Sequence, residues 1–231
     1  MRNHRIAIGA GIRAKVREIG FFAGKVTELS RVIECAHILE HYPLNKKIDE
    51  LNYYFNGFLN AIQSIKDGCQ TAMDIKVSWL ELSPTYGPFI YYCRNSVTHD
   101  GSCMINAGAD NKNYIMGPLR RISNRGAVIE IYPPCEDVLS ITCLCANEVL
   151  ESIKKIVFDY GSKIPVLDAD DYKNSFGEIV ANEFIPCDIR QIITDSREEI
   201  LEGFKRVDVD LIAGITKEIK SIQANILSRE F

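Results

Sequence analysis

The feature that most constrains the fold is a long run of apolar residues at helical spacing between positions 44 and 72. The apolar positions alternate steps of four and three residues, which is the spacing of a helix that packs along one seam of a bundle. They are Leu44, Ile48, Leu51, Phe55, Phe58, Ile62, Ile65 and Cys69. This spacing predicts one helix over about 44–72.

Three further segments predict a mainly α protein. Apolar stripes from Val26 to Leu39 and from Val138 to Tyr160 predict two more helices, and the first stripe stops before Pro43, which disfavours helix in the preceding residue. The helices on either side of Pro43 are expected to form an antiparallel hairpin. Phe89 to Thr98 predicts a short helix that ends at the turn-forming pair Asp100-Gly101. Four amphipathic helices predict a four-helix bundle.

A β-hairpin is expected between the short helix and the last bundle helix. The β-rich runs Tyr114–Ile122 and Ala127–Tyr132 flank the segment Ser123-Asn124-Arg125-Gly126, in which the glycine is available for positive φ. This arrangement predicts one hairpin over about 113–133, inserted into the bundle.

The two ends of the chain have different compositions. Residues 1–23 carry five lysines and arginines before the first acid, Glu18, and predict a basic, flexible N-terminal arm. Residues 164–231 begin with an acidic stretch and continue with helical apolar patterns, which predict a C-terminal helical extension. The bundle with its hairpin is expected to occupy 24–163.

Composition excludes several classes of protein. No apolar run approaches the roughly 18 residues that a membrane-spanning helix needs, and the N-terminus lacks the apolar core and cleavage site of a secretory signal. The 27 basic and 31 acidic residues give a net charge of −4, so any site for RNA has to be a local basic patch. Eight cysteines scattered through apolar segments indicate free thiols. We therefore expect a cytoplasmic protein with no membrane partner.

Two short motifs suggest chemistry that their surroundings do not support. The segment 9–14, Gly-Ala-Gly-Ile-Arg-Ala, has the G-x-G-x-x-A form of a dinucleotide loop, but a helix is expected where a Rossmann unit needs its second strand and acid. Glu34 and His37 have the Glu-x-x-His spacing of di-iron bundles, with His41 one turn beyond, but the chain has no second copy. We expect neither a cofactor nor a metal.

The segment Arg94-Asn95-Ser96-Val97-Thr98-His99 is the most informative motif in the chain. An arginine four to six residues before a histidine occurs readily by chance, but an asparagine directly after the arginine makes the match rare in a chain of this composition. The motif also follows a long helical hairpin and closes the predicted helix over 89–98.

In these residues the chain resembles the HEPN family, whose hallmark is an Arg-x4-6-His motif, commonly with a polar residue after the arginine, in a four-helix bundle. The resemblance covers roughly residues 24–162 and matches Arg94, Asn95 and His99. It implies a metal-independent endoribonuclease that acts as a homodimer with two facing motifs, in a toxin or phage-defence system with an antitoxin or regulatory partner. The inserted hairpin and the C-terminal extension depart from the family pattern.

The three side chains also suit ribonuclease chemistry by their own properties. Attack of an RNA 2′-hydroxyl on the adjacent phosphate needs a group that exchanges protons near neutral pH, which His99 would supply. The planar guanidinium of Arg94 would bind the phosphate oxygens, and Asn95 shares a helix face with His99 and would orient it or contact the phosphate. Arg94 and His99 diverge by about 140° on a regular helix, so they converge only if the arginine wraps around or the helix opens near Asp100.

Further candidates for RNA contacts lie outside the motif. Arg120, Arg121 and Arg125 form a dense basic cluster on the predicted hairpin and would contact phosphates. Tyr92, with Tyr91 beside it, would offer a ring for base stacking, although aromatic residues on bundle helices more commonly belong to a core or an interface.

The alternative hypothesis is a protein without catalysis. In that case Arg94 pairs with an acid of the bundle and His99 caps the helix, which would leave a HEPN-like helical scaffold or a nucleotide-binding module. The two hypotheses differ in whether the side chains of Arg94 and His99 meet in a solvent-open cleft near a dimer axis or either of them is buried against an acid within one subunit.

Overall fold

The chain is mainly helical, with two small antiparallel sheets. The computed structural model describes residues 2–36, 44–100, 104–122, 126–165, 177–178, 180–199 and 211–227. The helices are α1 Arg2–Ala36, α2 Leu44–Met73, α3 Trp79–Leu82, α4 Gly87–Asp100, α5 Val138–Tyr160, α6 Cys187–Asp195 and α7 Leu211–Leu227. The strands are β1 Ile105–Ala107, β2 Asn113–Ile115, β3 Leu119–Ile122 and β4 Val128–Ile131.

The most extensive contact between two helices is that of α1 with α2, which run antiparallel. Gly9 in α1 lies opposite Ala72 in α2, and Phe22 lies opposite Gly57, so the two helices run in opposite directions. The predicted helix over 44–72 is confirmed as α2, and its apolar seam from Leu51 to Cys69 is buried. The predicted helices over 89–98 and 138–160 are confirmed as α4 and α5.

The prediction of a flexible N-terminal arm is wrong, because residues 2–23 form the first part of α1. Ile12, Val16 and Ile19 continue the apolar stripe of the predicted helix toward the N-terminus and are buried in the core. The basic residues bind the protein itself: Arg5 donates to the carbonyl oxygens of Ala72 (3.1 Å) and Lys163 (2.8 Å). Burial of this stripe therefore outweighs the low helix propensity of the N-terminal glycines.

The same helix removes the basis for a dinucleotide loop at residues 9–14. Gly9 and Gly11 lie inside α1, where their amides belong to the helix interior. A Cβ atom at Gly9 would lie 2.6 Å from Ile164, so this glycine allows close packing.

The β-region contains two hairpins where the sequence predicts one. β3 and β4 form the expected hairpin, with Leu119 paired to Ile131 and Ile122 paired to Val128. The preceding strand β2 belongs to a separate sheet, in which it pairs with β1. Gly117 and Pro118 separate the two hairpins, since proline has no amide hydrogen to continue the ladder.

The predicted C-terminal helical extension joins the main core. α7 packs against both α1 and α5, and its residues Ile215 and Ile219 are fully buried. Glu218 accepts ion pairs from Arg13 at 3.0 Å and Arg17 at 2.9 Å, which attach α7 to α1. By contrast, α6 has no buried residue. Residues 200–210 of the predicted extension lie outside the described residues.

Among the described helices, none has a stretch long and apolar enough to cross a membrane.

Candidate active site on helix α4

The start of α4 is held in place by α5 and α3. The carboxylate of Glu148 in α5 accepts hydrogen bonds from the hydroxyls of Ser83 and Thr85, each at 2.5 Å, and from the backbone N–H of Thr85 at 3.2 Å. Gly87, the first residue of α4, packs so closely on α3 that a Cβ atom would lie 1.9 Å from the carbonyl oxygen of Trp79. Helix α4 therefore begins at a fixed position against the rest of the molecule.

The segment that follows α4 is attached to α2 through Asn52. The side-chain oxygen of this buried residue accepts hydrogen bonds from the N–H groups of Met104 and Ile105, both at 3.1 Å. Its amide nitrogen donates to the carbonyl oxygens of Ile48 at 3.0 Å and Ile105 at 3.3 Å. Asn52 thus satisfies backbone groups at the start of β1 that would otherwise be buried without partners.

One side of α4 belongs to the core. Ile90 and Cys93 are fully buried, and burial raises the pKa of the Cys93 thiol far above its ordinary value. Asn95 and Ser96 are also buried, although both are polar. Any large substrate therefore has to meet α4 where the helix stays accessible, around Tyr91 and the half-buried Arg94.

Arg94 lies at the edge of the buried side and is half-buried. Its Nη1 group donates a hydrogen bond of 3.1 Å to the side-chain oxygen of Asn95, while its buried Nε atom has no hydrogen-bond partner among the described residues. Within the same part of the chain, no carboxylate oxygen lies within 4.0 Å of the guanidinium. The charge of Arg94 is therefore not neutralised by any described acid.

Three other arginines of the described residues have acidic partners. Arg13 and Arg17 both pair with Glu218, and Arg120 pairs with Glu130 at 2.8 Å. These ion pairs connect one helix to another or one strand to its neighbour. Arg94 differs from them because its described contact is with a neutral amide, which orients the guanidinium without cancelling its charge.

His99 lies in the last turn of α4, and its side chain is outside the described residues. The backbone is helical through Asp100, so α4 does not open between Arg94 and His99. On this regular helix the two positions diverge by about 140°. The continuous helix therefore excludes opening of α4 as a way to bring Arg94 and His99 together. Within one chain, only the reach of the long arginine side chain remains.

The basic cluster predicted on the hairpin is only partly described. β3 packs against α4, which brings the strand that carries Arg120 and Arg121 next to the motif helix. Arg120 is exposed, but its ion pair with Glu130 on β4 reduces its availability for phosphate. The side chain of Arg121 and the whole of Arg125 lie outside the described residues.

The ring of Tyr92 is half-buried and packs against its neighbour on α4. Its centroid lies 5.2 Å from that of Tyr91 in an edge-on arrangement, and Tyr91 in turn contacts Trp79 of α3 at 5.7 Å. Tyr91 is the more exposed of the two tyrosines, with 38% of its surface accessible. Of the two predicted stacking residues, Tyr91 is thus the one that offers more of its surface to solvent.

The Glu-x-x-His pair is only half described. Glu34 is half-buried near the end of α1, whereas His37 and His41 lie outside the described residues. Within the described ranges, no group of three or more His, Cys, Asp or Glu side chains is arranged to hold a metal ion.

Comparison of the chain with protein-family profiles, with curated proteins and with solved structures finds no match.

The sequence pattern does not identify the residues that position α4. Asn52 lies beside Leu51 in the apolar seam of α2, and a polar residue at such a position is a weak signal of a buried hydrogen-bonding role. Glu148 sits among apolar residues of α5 in the same way. Their partners, Met104 and Thr85, are more than 50 residues away in the chain, so only the folded structure reveals both contacts.

Proposed function

We propose that this chain is a metal-independent endoribonuclease of HEPN type, with Arg94 and His99 as its catalytic residues and the buried Asn95 as the residue that orients Arg94. The observation that carries the proposal is the state of Arg94, a half-buried guanidinium that is oriented by Asn95 and has no described carboxylate partner. A cation held in this way is available for an anion of the substrate. The alternative of a scaffold, in which an acid of the same subunit neutralises Arg94, has no support among the described residues.

The proposed reaction is a transesterification within the RNA chain. The 2′-hydroxyl oxygen of a ribose forms a bond to the adjacent phosphorus atom, and the bond from phosphorus to the 5′-oxygen of the next nucleotide breaks. One histidine accepts the proton of the 2′-hydroxyl and a protonated histidine donates a proton to the leaving 5′-oxygen. Arg94 binds the non-bridging oxygens, where negative charge accumulates in the transition state. The products are a 2′,3′-cyclic phosphate and a 5′-hydroxyl.

The proposal includes a homodimer in which two motifs face one groove. It is supported by the continuous helix between Arg94 and His99, on which the two positions lie about 140° apart. A two-fold axis would place Arg94 of one protomer beside His99 of its partner, and it would supply the two proton-transferring groups that the reaction uses. The hairpins carrying Arg120, Arg121 and Arg125 would then lie along the same RNA strand.

The fold and the cellular setting belong to the same proposal. A HEPN-like four-helix bundle is supported by the packing of α2 against α1, α4 and α5. A cytoplasmic location is supported by the cysteines of the described residues, which are free thiols as in proteins of reducing compartments. A role as a toxin or defence component, controlled by an antitoxin or regulatory protein, follows from the resemblance alone.

A cleavage assay in chelator tests the proposed function. Purified wild-type protein is expected to cleave a labelled single-stranded RNA in excess EDTA, because arginine and histidine supply the charge stabilisation and proton transfer. His99→Ala and Arg94→Ala should each lower the rate by at least about 100-fold. Circular dichroism would verify that both variants keep the helical fold.

Arg13→Ala serves as the matched control, because Arg13 is an arginine of α1 that is already paired with Glu218 and belongs to neither the motif nor the hairpin. Its cleavage rate should stay within a few-fold of the wild type. Loss of activity in EDTA that magnesium restores would contradict the proposal. Equal cleavage by wild type and His99→Ala would also contradict it, since the activity would then come from another site or another protein.

A further inference from the structure

Three aromatic rings are in direct contact next to the motif, and we call them the aromatic cluster: Trp79 of α3 and Tyr91 and Tyr92 of α4. The centroids of Trp79 and Tyr91 are 5.7 Å apart, and those of Tyr91 and Tyr92 are 5.2 Å apart. Lys66 of α2 lies over the ring of Trp79, with its Nζ atom 5.6 Å from the centroid. One face of Trp79 is therefore occupied by the protein's own cation.

Tyr91 is the member of the cluster that the protein leaves accessible. It is 38% exposed, while Trp79 and Tyr92 are half-buried and contact it from two directions. These two neighbours restrict the ring of Tyr91, so a flat ligand would not need to order a freely rotating side chain. A fixed and partly exposed ring is the arrangement that nucleobase stacking requires.

The position of Tyr91 relates the cluster to the proposed catalytic arginine. Tyr91 precedes Arg94 by three residues, so the two side chains are neighbours on the surface of α4, about one helical turn apart. Lys66 packs on Trp79 from the far side of the cluster, and its side chain is only 11% exposed and pairs with Asp67 at 3.9 Å. An accessible ring beside one available cation suits an unpaired base next to a bound phosphate on a single nucleic-acid strand.

We propose that Tyr91 stacks on an unpaired base of single-stranded RNA beside the phosphate that Arg94 binds, with Trp79 and Tyr92 holding its ring. The substrate class follows from the geometry, because the base faces of a duplex are stacked within the helix and are inaccessible to a protein side chain. This inference rests on the proposed function for the identity of the phosphate. It extends that function by naming Tyr91 as the residue that binds an unpaired base beside this phosphate.

The single tryptophan of the chain makes a direct test possible. Trp79 is the only tryptophan, so intrinsic fluorescence reports on the aromatic cluster itself. The probe is a single-stranded RNA of ten nucleotides with 2′-O-methyl groups throughout, which binds as RNA but cannot be cleaved by 2′-hydroxyl attack. We expect saturable quenching of Trp79 in the wild type. The same RNA annealed to its complement should bind at least about 10-fold more weakly.

Variants distinguish stacking from other contacts. Tyr91→Ala should weaken the affinity for the single strand by about 10-fold, whereas Tyr91→Phe, which keeps the ring, should stay close to the wild type. Tyr53→Ala is the matched control, because Tyr53 is a 75% exposed tyrosine on α2 outside the cluster, and it should not change the affinity. Circular dichroism of each variant verifies that the fold is intact.

The inference would be overturned if Tyr91→Ala bound the single strand as tightly as the wild type, or if duplex and single strand bound equally. A loss of Trp79 fluorescence as the protein concentration rises in the absence of RNA would also overturn it, because a second copy of the chain would then cover the cluster. Binding that depends on Tyr91 without any cleavage of unmodified RNA would refute the proposed function alone. Cleavage by Tyr91→Ala with an unchanged KM would refute the inference alone.

Discussion

At the scale of single residues, the charge state and the shape of Arg94 are separate contributions to the proposed chemistry. Asn95 is a neutral partner, so it fixes the direction of the guanidinium but leaves its charge available. A lysine at the same position would keep the charge but would lose the planar fork that binds two phosphate oxygens at once. Substitution by lysine therefore separates the two contributions.

We expect Arg94→Lys to be nearly as inactive as Arg94→Ala, with a loss of at least about 100-fold in cleavage rate, because charge without the bidentate geometry is insufficient. The measurement is single-turnover cleavage of labelled RNA by the wild type and both variants. Retention of most activity by Arg94→Lys would mean that Arg94 acts only as a distant charge.

The motif illustrates what a sequence pattern predicts at this scale. The pattern predicts that Arg94 and Asn95 are neighbours on a helix, and this is confirmed by α4. It does not predict that Asn95 is buried and accepts a hydrogen bond from Arg94, since that depends on which side of α4 packs against α2 and α3. The contact between the two side chains is a result of tertiary packing.

Glu34 is a second residue whose environment has a measurable consequence. Burial raises its pKa, the neighbouring Asp137 and Asp110 raise it further, and Lys112 and Arg31 act in the opposite direction. The folded state therefore favours the protonated carboxyl. The contribution of Glu34 to the free energy of unfolding is fully present below its unfolded pKa of about 4.3. It is lost as the pH rises through its higher folded pKa.

Glu34→Gln should consequently be more stable than the wild type at pH 7, by less than about 1 kcal/mol because the side chain is only half-buried. The difference should vanish near about pH 3, where the wild-type carboxyl is protonated in both states. Urea unfolding at the two pH values measures it. A variant that is less stable than the wild type at pH 7 would show that the ionised carboxylate contributes a favourable contact.

At the scale of secondary-structure elements, the α1–α2 pair depends on close packing at glycine. A Cβ atom at Gly57 of α2 would lie 2.4 Å from the ring of Phe22 in α1, whereas one at Gly11 of α1 would have no neighbour within 4 Å. The two glycines therefore have opposite roles, although both lie within long helices. Gly57 allows the approach of α1, and Gly11 only lowers helix propensity.

We expect Gly57→Ala to reduce the free energy of unfolding by about 1–3 kcal/mol, because the ring of Phe22 and the two helices have to separate. Gly11→Ala is the control and should increase the free energy of unfolding by up to about 1 kcal/mol, since alanine favours helix and meets open space. Chemical denaturation of both variants provides the comparison. Equal stability of the two variants would contradict the packing described for Gly57.

The elements show why some boundaries follow from the sequence and others do not. The apolar periodicity predicts α2 and α5 because each helix carries an unbroken stripe. The apolar periodicity does not predict the beginning of α1, because glycines and arginines near Gly9 are typical of a flexible arm. The residues that they pack against and bind lie in α2 and after α5. β1 escapes it as well, since a strand of three residues carries too little periodicity to be recognised.

At the scale of the whole molecule, the net charge of −4 makes the arrangement of the basic side chains important for RNA binding. Several arginines, including Arg13, Arg17 and Arg120, are used in ion pairs within the chain. These three arginines are therefore less available to RNA than Arg94. Pairing of two protomers around one groove would double the local positive charge.

The homodimer is tested by mixing active and inactive chains. An excess of His99→Ala should lower the cleavage rate per wild-type chain, because mixed dimers lack one of the two histidines in the shared groove. Sedimentation at the assay concentration should show a dimer. An excess of Tyr53→Ala, which keeps the motif, is the control and should not lower the rate per wild-type chain. A fully active monomer would contradict the shared groove.

If Arg94 and His99 promote attack by the 2′-hydroxyl, the chemistry leaves its record in the ends of the cleaved RNA. The measurement is mass spectrometry of products from a single-stranded RNA in excess EDTA, compared with the same strand carrying a 2′-deoxy nucleotide at the cleaved position. We expect 2′,3′-cyclic phosphate and 5′-hydroxyl ends, and no cleavage at the deoxy position. Products with 3′-hydroxyl and 5′-phosphate ends, or cleavage after the deoxy nucleotide, would contradict it.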